Sequence, residues 1–318
     1  MKVCMIGAGA LGSTIGGTLS EGGCDVWLVD PYQAHVDAIN RHGLVMRTGE
    51  GAEATERSVP VNAVTSVAGL DVVDVVIVLV KAFHTRSAVE QARPVVGPET
   101  MIISLQNGLG HEEVLAEVVG REHVLNGTTY VGGRLMGPGR VSSGVAGKQT
   151  IIGELDGQMT PRLPQLARAF TNAGLATTPT DNIVGIKWDK LLINVATGAL
   201  SVITRLPYGQ LYRVPEIEAC ALLAVQEGID VANAAGVKIS GLGPKEIWAE
   251  AATGLPSDFK TSMLQSVEAG SRTEIDVING SVVQWGQRVG VPTPVNSTLV
   301  AAVKGIERTL TLNPEHAR

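Results

Sequence analysis

The sequence predicts an α/β fold: a Rossmann-type doubly wound sheet domain over residues 1–180, followed by an all-helical domain over residues 181–318. Three observations predict it. The chain opens with a short apolar strand that runs into Gly7-Ala8-Gly9-Ala10-Leu11-Gly12, a G-x-G-x-x-G turn. Strand-like and helix-like stretches then alternate, the pattern of a parallel sheet with helices on both faces. From about Asp181 the texture changes to long helical periods with few strand signals.

The first strand is Val3–Ile6, and the helix from Ala10 to Glu21 joins it to a second strand, Val26–Val29, which ends in Asp30. Gly7 permits the tight turn, Gly9 lets the backbone approach a pyrophosphate, and Gly12 lets the helix pack closely on its strand. Helix N-terminal amides and the positive dipole end favour an anion there. Asp30 lies 18 residues after Gly12, where a carboxylate can accept both hydroxyls of an adenosine ribose. In a chain with 38 glycines the turn alone is a weak signal. Between a strand and a helix, with Asp30 at this spacing, it indicates a nicotinamide or flavin dinucleotide.

Val75–Val80 is a continuous apolar run, mostly β-branched, as expected for a strand buried on both faces, and Lys81 follows it. Met101–Leu105 is a further strand-like, largely apolar stretch, ending in Gln106-Asn107-Gly108. Either Lys81 or Asn107 alone reads as well as a loop lysine or a turn dipeptide. Their arrival at the rim of the glycine turn tips both towards the cofactor, because ligands of such sheets lie beyond the carboxyl ends of the strands. Residues 124–155 read as short strands with glycine turns, expected to close the sheet with an antiparallel edge. The helices expected beyond are 183–203, 217–235, 244–252, 257–289 (with a break allowed) and 295–308, punctuated by Gly236, Gly243, Gly290 and Pro292.

Composition narrows the function. The 44% apolar and 18% charged residues describe a globular chain, and 318 residues suffice for two cores. Only 3% are aromatic and the net charge is −6 without a block of one sign, which argues against nucleic acid and anionic membranes. The longest apolar run, residues 72–80 interrupted by Asp74, is far short of the roughly 20 residues that a bilayer requires. Cys4, Cys24 and Cys220 sit in apolar segments without C-x-x-C spacing, the usage of a reduced cytoplasmic protein. The six histidines have no metal-ligand spacing, so no metal site is expected, and no G-x-S-x-G elbow is present.

A dinucleotide enzyme needs a proton donor or acceptor beside the cofactor. Lys190 and Asn194 stand at i and i+4 on one face of an apolar helix. A lysine in that setting usually snorkels or pairs, but a buried asparagine is costly unless bonded. Glu274, in Thr273-Glu274-Ile275-Asp276-Val277-Ile278-Asn279-Gly280, is either a partner for Lys190 or part of an exposed charged face. Ser262 precedes Glu274 by twelve positions, about 120° around an unbroken helix, so one ligand meets both only if the helix breaks.

These residues resemble the ketopantoate reductase (2-dehydropantoate 2-reductase) family, over nearly the whole length. The matching pieces are the Gly7–Gly12 turn, Val80-Lys81, Gln106-Asn107-Gly108-Leu109-Gly110, Lys190-Leu191-x-x-Asn194, Ser262-Met263-Leu264-Gln265 and the Thr273–Gly280 segment. The resemblance implies hydride transfer from NAD(P)H to the 2-carbonyl of a 2-oxo acid. Lys190 would donate the proton, Asn194 and Ser262 would hold substrate oxygens, and Glu274 would sit near both the lysine and the nicotinamide. Asn107 would touch cofactor and substrate, and Gly133 would line the cofactor groove.

Two departures stand out. The family usually carries a basic residue where this chain has Asp30, which repels a 2′-phosphate, so NAD is expected over NADP. Two substrate-facing asparagines of the family correspond to Gly198 and Tyr208 here. They keep open an NAD-dependent dehydrogenase of other D-2-hydroxy acids, mandelate-like, beside ketopantoate reduction. A dinucleotide-sensing protein without catalysis is a further alternative, disfavoured by Lys190, Asn194 and Glu274 together. The expected partners are a small 2-oxo acid and a second copy of the chain.

Overall fold

A computed structural model describes residues 1–49 and 51–312. Two units divide the chain: Met1–Gln106 with His111–Ile183, and Asn107–Gly110 with the residues from Val184 onward.

The first unit is built on β1 (Lys2–Ile6), α1 (Ala10–Glu21), β2 (Asp25–Val29), α2 (Gln33–His42), β3 (Leu44–Thr48), β4 (Thr55–Val59) and β5 (Asn62–Val64). It continues with β6 (Val75–Val78), α3 (Thr85–Ala92), β7 (Met101–Ser104), α4 (His111–Val119) and β8 (Val124–Thr129). Then come β9 (Gly132–Gly137), β10 (Arg140–Gly144), β11 (Thr150–Glu154), α5 (Arg162–Asn172) and β12 (Thr177–Pro179). Eight strands form one sheet in the order β12-β11-β8-β7-β6-β1-β2-β5. Strands β5 to β8 are parallel, in the doubly wound order whose switch point lies between β1 and β6. Along β1, Val3 and Met5 enter the core under α1 and α2, while Cys4 and Ile6 enter the core under α3 and α4. That two-sided burial is why the strands read as unbroken apolar runs.

Residues 124–155 supply the antiparallel strand that the sequence suggested, one position in from the edge strand β12, but not all of them stay in this sheet. β8 continues the parallel sheet, and β11 pairs antiparallel with β8. β9 and β10 leave to join a second sheet, ordered β4-β3-β10-β9. Its Leu44, Met46, Val59 and Val141 bury against Ile15 and Leu19 of α1.

The second unit is helical: α6 (Ile183–Thr204), α7 (Tyr208–Leu211), α8 (Pro215–Ala234), α9 (Pro244–Ala252), α10 (Ser262–Glu268), α11 (Asn279–Val289) and α12 (Pro294–Leu312). Trp188, Leu191, Leu192, Val195 and Ala199 of α6 share a core with Ala221, Ala224 and Val225 of α8. Gly228 lets α8 approach α6, because a Cβ there would stand 2.5 Å from Leu192 Cδ2. Glu227 caps α12, accepting the Val295 N–H at 2.7 Å and the Asn296 N–H at 2.9 Å. Among the described residues no helix is long and apolar enough to cross a membrane.

Candidate functional site

The glycine turn is fixed from below and open above. Gly7 has φ +97°, and a Cβ on it would stand 2.9 Å from Leu79 C and Val80 N in the segment after β6. A Cβ on Gly12 would run into the Gly7 carbonyl oxygen. Gly9, the N-cap of α1, is different: nothing lies within 4 Å of its Cβ position. Bare backbone therefore meets open space at a helix N-terminus with no acidic residue in its first turn, which fits a pyrophosphate. Ala8 is buried, while Ala10 and Leu11 are half-buried. Asp30 stands beside this turn. One carboxylate oxygen accepts the Ala8 N–H at 2.9 Å and the other the Tyr32 N–H at 2.9 Å. Gly133, on β9, lets the second sheet reach the start of α1, since a Cβ would press on Thr14 Oγ1 and the Ala10 carbonyl. Lys81 is exposed and caps a short 3-10 turn, Ala82–His84.

Gln106 has a role that the sequence did not announce. It is buried, donates to the Val80 carbonyl at 2.7 Å and Thr85 Oγ1 at 2.9 Å, and accepts from Ser104 Oγ at 2.9 Å. It ties the ends of β6 and β7 together. Asn107 itself falls with the helical unit: the Leu109 N–H donates to the Val277 carbonyl at 3.2 Å, and a Cβ on Gly108 (φ +89°) would collide with that carbonyl.

In the helical unit, α6 carries Lys190, half-buried, and Asn194 one turn on, also half-buried. Burial pulls the Lys190 ammonium down to about 8, and the neighbouring charge of Lys187 adds to the effect. The Glu274 carboxylate opposes both. Lys190 and Glu274 are thus brought together electrostatically. Lys187, 4% exposed, was not singled out from the sequence, although two lysines three apart in so apolar a helix are a readable signal.

Glu274 is placed by a break in the helix. The predicted stretch 257–289 resolves into α10, a turn, a 3-10 turn at Ile275–Val277 and α11. Buried Glu307 of α12 accepts the Thr273 N–H at 2.7 Å and the Thr273 hydroxyl at 2.6 Å. Lys304 pairs with Asp276, and Asn279 donates to Asn296 at 2.9 Å. Ser262, exposed, is the first residue of α10, which Thr261 caps through the Leu264 N–H at 3.1 Å. Because the helix is interrupted, the 120° separation of Ser262 and Glu274 no longer applies.

The two departing positions, Gly198 and Tyr208, also lie in this unit. A Cβ on Gly198 would touch Met263 Cε at 3.1 Å, so the methionine beside Ser262 occupies the space that a side chain at 198 would take. Tyr208 is buried, its hydroxyl 3.0 Å from Thr197 Oγ1 and its ring 5.0 Å edge-on from Phe259. Burial pushes the Tyr208 phenol upward.

The fold defines a doubly wound dinucleotide-type unit joined to a helical unit with a buried lysine. Comparison with known proteins agrees. The family Ketopantoate reductase PanE/ApbA matches residues 3–157, and its C-terminal family matches residues 182–307. The 2-dehydropantoate 2-reductase of Pyrococcus horikoshii is 34% identical over 96% of this chain and 98% of its own. A PanE/ApbA family ketopantoate reductase from Ralstonia eutropha JMP134 superimposes with TM-score 0.88 at 33% identity, over 98% of this chain and 100% of that one. The ternary structure of D-mandelate dehydrogenase with NADH and anilino(oxo)acetate gives TM-score 0.89 at 26% identity, covering 98% and 100%. The chain belongs to the ketopantoate reductase family and is an NAD(P)-dependent oxidoreductase.

Proposed function

We propose that this chain reduces the 2-carbonyl of a branched 2-oxo acid, ketopantoate to pantoate, with residues 1–180 holding the dinucleotide and residues 181–318 the substrate. The observation that carries the reading is a lysine brought to about 8 by burial, beside Glu274 and one turn from Asn194. A bound reduced nicotinamide supplies the hydride. As charge grows on the keto oxygen, the Lys190 ammonium donates a hydrogen bond to it and then yields its proton. A pKa near 8 makes that transfer easier than one near 10.5, while still leaving the amine charged at neutral pH. Glu274 favours the charged amine. Asn194, Ser262 and Asn107 are assigned the substrate's carboxylate and hydroxyl oxygens. Gly7, Ala8, Gly9, Ala10, Leu11, Gly12, Lys81, Asn107, Gly133 and Glu274 are assigned to the cofactor, with Asp30 on the adenosine ribose.

Asp30 supports NADH over NADPH, because its carboxylate repels a 2′-phosphate. Met263 in the space at Gly198, and the aromatic neighbours of Tyr208, favour a second reading in which a D-2-hydroxy acid with an apolar or aromatic side chain is the natural product. Turnover of ketopantoate, 2-oxoisovalerate and benzoylformate with each cofactor tests both. Ketopantoate as the best acceptor and NADH as the better donor is the expected result. Ketopantoate as the poorest of the three favours the second reading, and a tenfold preference for NADPH removes the role given to Asp30.

A further inference from the structure

His35 has no part in the site described above, yet it is 1% exposed and every polar atom of its ring is engaged. It lies in the first turn of α2. The Gly139 N–H, from the turn between β9 and β10, donates to Nδ1 at 2.9 Å. That bond needs a lone pair on Nδ1, so the ring is neutral and carries its hydrogen on Nε2. Nε2 lies 3.1 Å from Ser13 Oγ on α1, and the Ser13 hydroxyl donates to the Ala8 carbonyl at 2.7 Å. On the other side of Ala8, its N–H donates to the Asp30 carboxylate at 2.9 Å. The donors all point one way, from Gly139 through His35 and Ser13 to Ala8. Both peptides that flank Ala8, and so join Gly7 to Gly9, are held.

We propose that His35, as a neutral Nε2–H imidazole, is a positioning residue for the dinucleotide-binding turn: through Ser13 and the Ala8 peptides it sets the backbone that meets the pyrophosphate and orients the Asp30 carboxylate. The inference rests on the dinucleotide reading of that turn. It carries a pH consequence, because a protonated ring presents an N–H to the Gly139 N–H and breaks the chain at its first link. The groups that face the ring are few. The turn before α2 brings Asp30, whose charge favours protonation, and Tyr32, whose ring is parallel at 6.4 Å. α1 brings the Ser13 hydroxyl, and the glycine turn and the β9–β10 turn bring backbone. Arg140, next to Gly139, is paired instead with Glu56 at 2.7 Å. Burial outweighs Asp30 and holds the imidazole below the ordinary histidine range.

The test uses the full-length chain with and without cofactor. Imidazole nitrogen NMR of the cofactor-free protein should show His35 as the Nε2–H tautomer at pH 7.5. Calorimetric titration with NAD+ should give a Kd that rises as the pH falls from 7.5 to 5. Ser13→Ala and His35→Phe should each raise that Kd about tenfold at pH 7.5, the scale of one lost hydrogen bond, and the double variant little further. In turnover, KM for the cofactor should rise by more than kcat falls. His35→Gln, which keeps a donor towards Ser13 but does not titrate, should stay within about threefold of the wild type and lose the pH dependence. A Ser13→Ala Kd within twofold of the wild type, an Nδ1–H tautomer, or unchanged pH dependence in His35→Gln would each overturn the proposal. If the wild-type chain binds neither NAD+ nor NADP+, the dinucleotide reading itself has failed.

Discussion

At the scale of single residues, the proposed chemistry turns on how three charges act on one another. Lys190 has burial and Lys187 against its charge and Glu274 for it. With Lys190 as the proposed proton donor, reduction needs the protonated amine, so kcat/KM for the keto acid should be level below about 8 and fall as pH rises through that value. Oxidation of the hydroxy acid should show the opposite limb. Lys187→Gln removes the second ammonium and should carry the limb upward, whereas Glu274→Gln should carry it downward. A pH–rate series on the three proteins checks both directions, and a limb that stays put in both variants would detach it from Lys190. Lys190→Ala should lose about 100-fold or more in kcat, with cofactor affinity retained. Equal losses in kcat and in cofactor binding would indicate a structural lysine instead.

At the scale of elements, Glu274 depends on a carboxylate that never touches substrate in this scheme. Glu307 of α12 is 7% exposed and takes two hydrogen bonds from Thr273, which hold the turn that presents Glu274. Glu307→Ala leaves the Thr273 N–H and hydroxyl without their acceptor, at a cost of about 1–3 kcal/mol each if they stay buried. Denaturant unfolding should register the loss, and the Lys190 limb should drift downward as Glu274 loosens; a stability loss without that drift would make Glu307 a packing residue alone. This network also marks what the sequence could not reveal. The strand–turn–helix from Lys2 to Glu21 was legible because an unbroken apolar run meets a G-x-G-x-x-G turn whose first glycine holds a positive φ that side-chain-bearing residues rarely adopt. α9 was legible to the residue, since Gly243-Pro244 is an N-cap and first-turn signature. The break between α10 and α11 was only allowed for, although a local signal ends α10: Gly270, at φ +67°, forms a left-handed cap in which the Ser271 N–H donates to the Ser266 carbonyl at 2.8 Å. What the sequence could not show is the acceptor that holds the following turn, on α12 and 34 residues from Thr273. The second sheet was not legible at all. β4 and β9 are mostly exposed and carry little apolar alternation, and β3 pairs with β10 across a long stretch of chain.

At the scale of the whole molecule, the residues proposed to govern cofactor choice and those proposed to govern substrate choice belong to different units. Asp30 and the glycine turn belong to the first, whereas Gly198, Tyr208 and Met263 belong to the second. Free-energy changes at sites that share no partners add to within about 0.3–0.5 kcal/mol, which is roughly a factor of two in a rate ratio. Asp30→Asn removes the charge opposed to a 2′-phosphate, so the NADH-to-NADPH ratio of kcat/KM should fall towards one. The order of preference among ketopantoate, 2-oxoisovalerate and benzoylformate should not move. Gly198→Asn should do the reverse. The new side chain displaces the flexible end of Met263, 3.1 Å from its Cβ, and adds an amide suited to a hydroxylated acceptor. It should raise ketopantoate against benzoylformate while leaving the cofactor ratio alone. In the double variant the two effects should multiply. A full matrix of two cofactors, three acceptors and four proteins measures this directly, and a departure from the product greater than about tenfold would mean that one unit governs both choices.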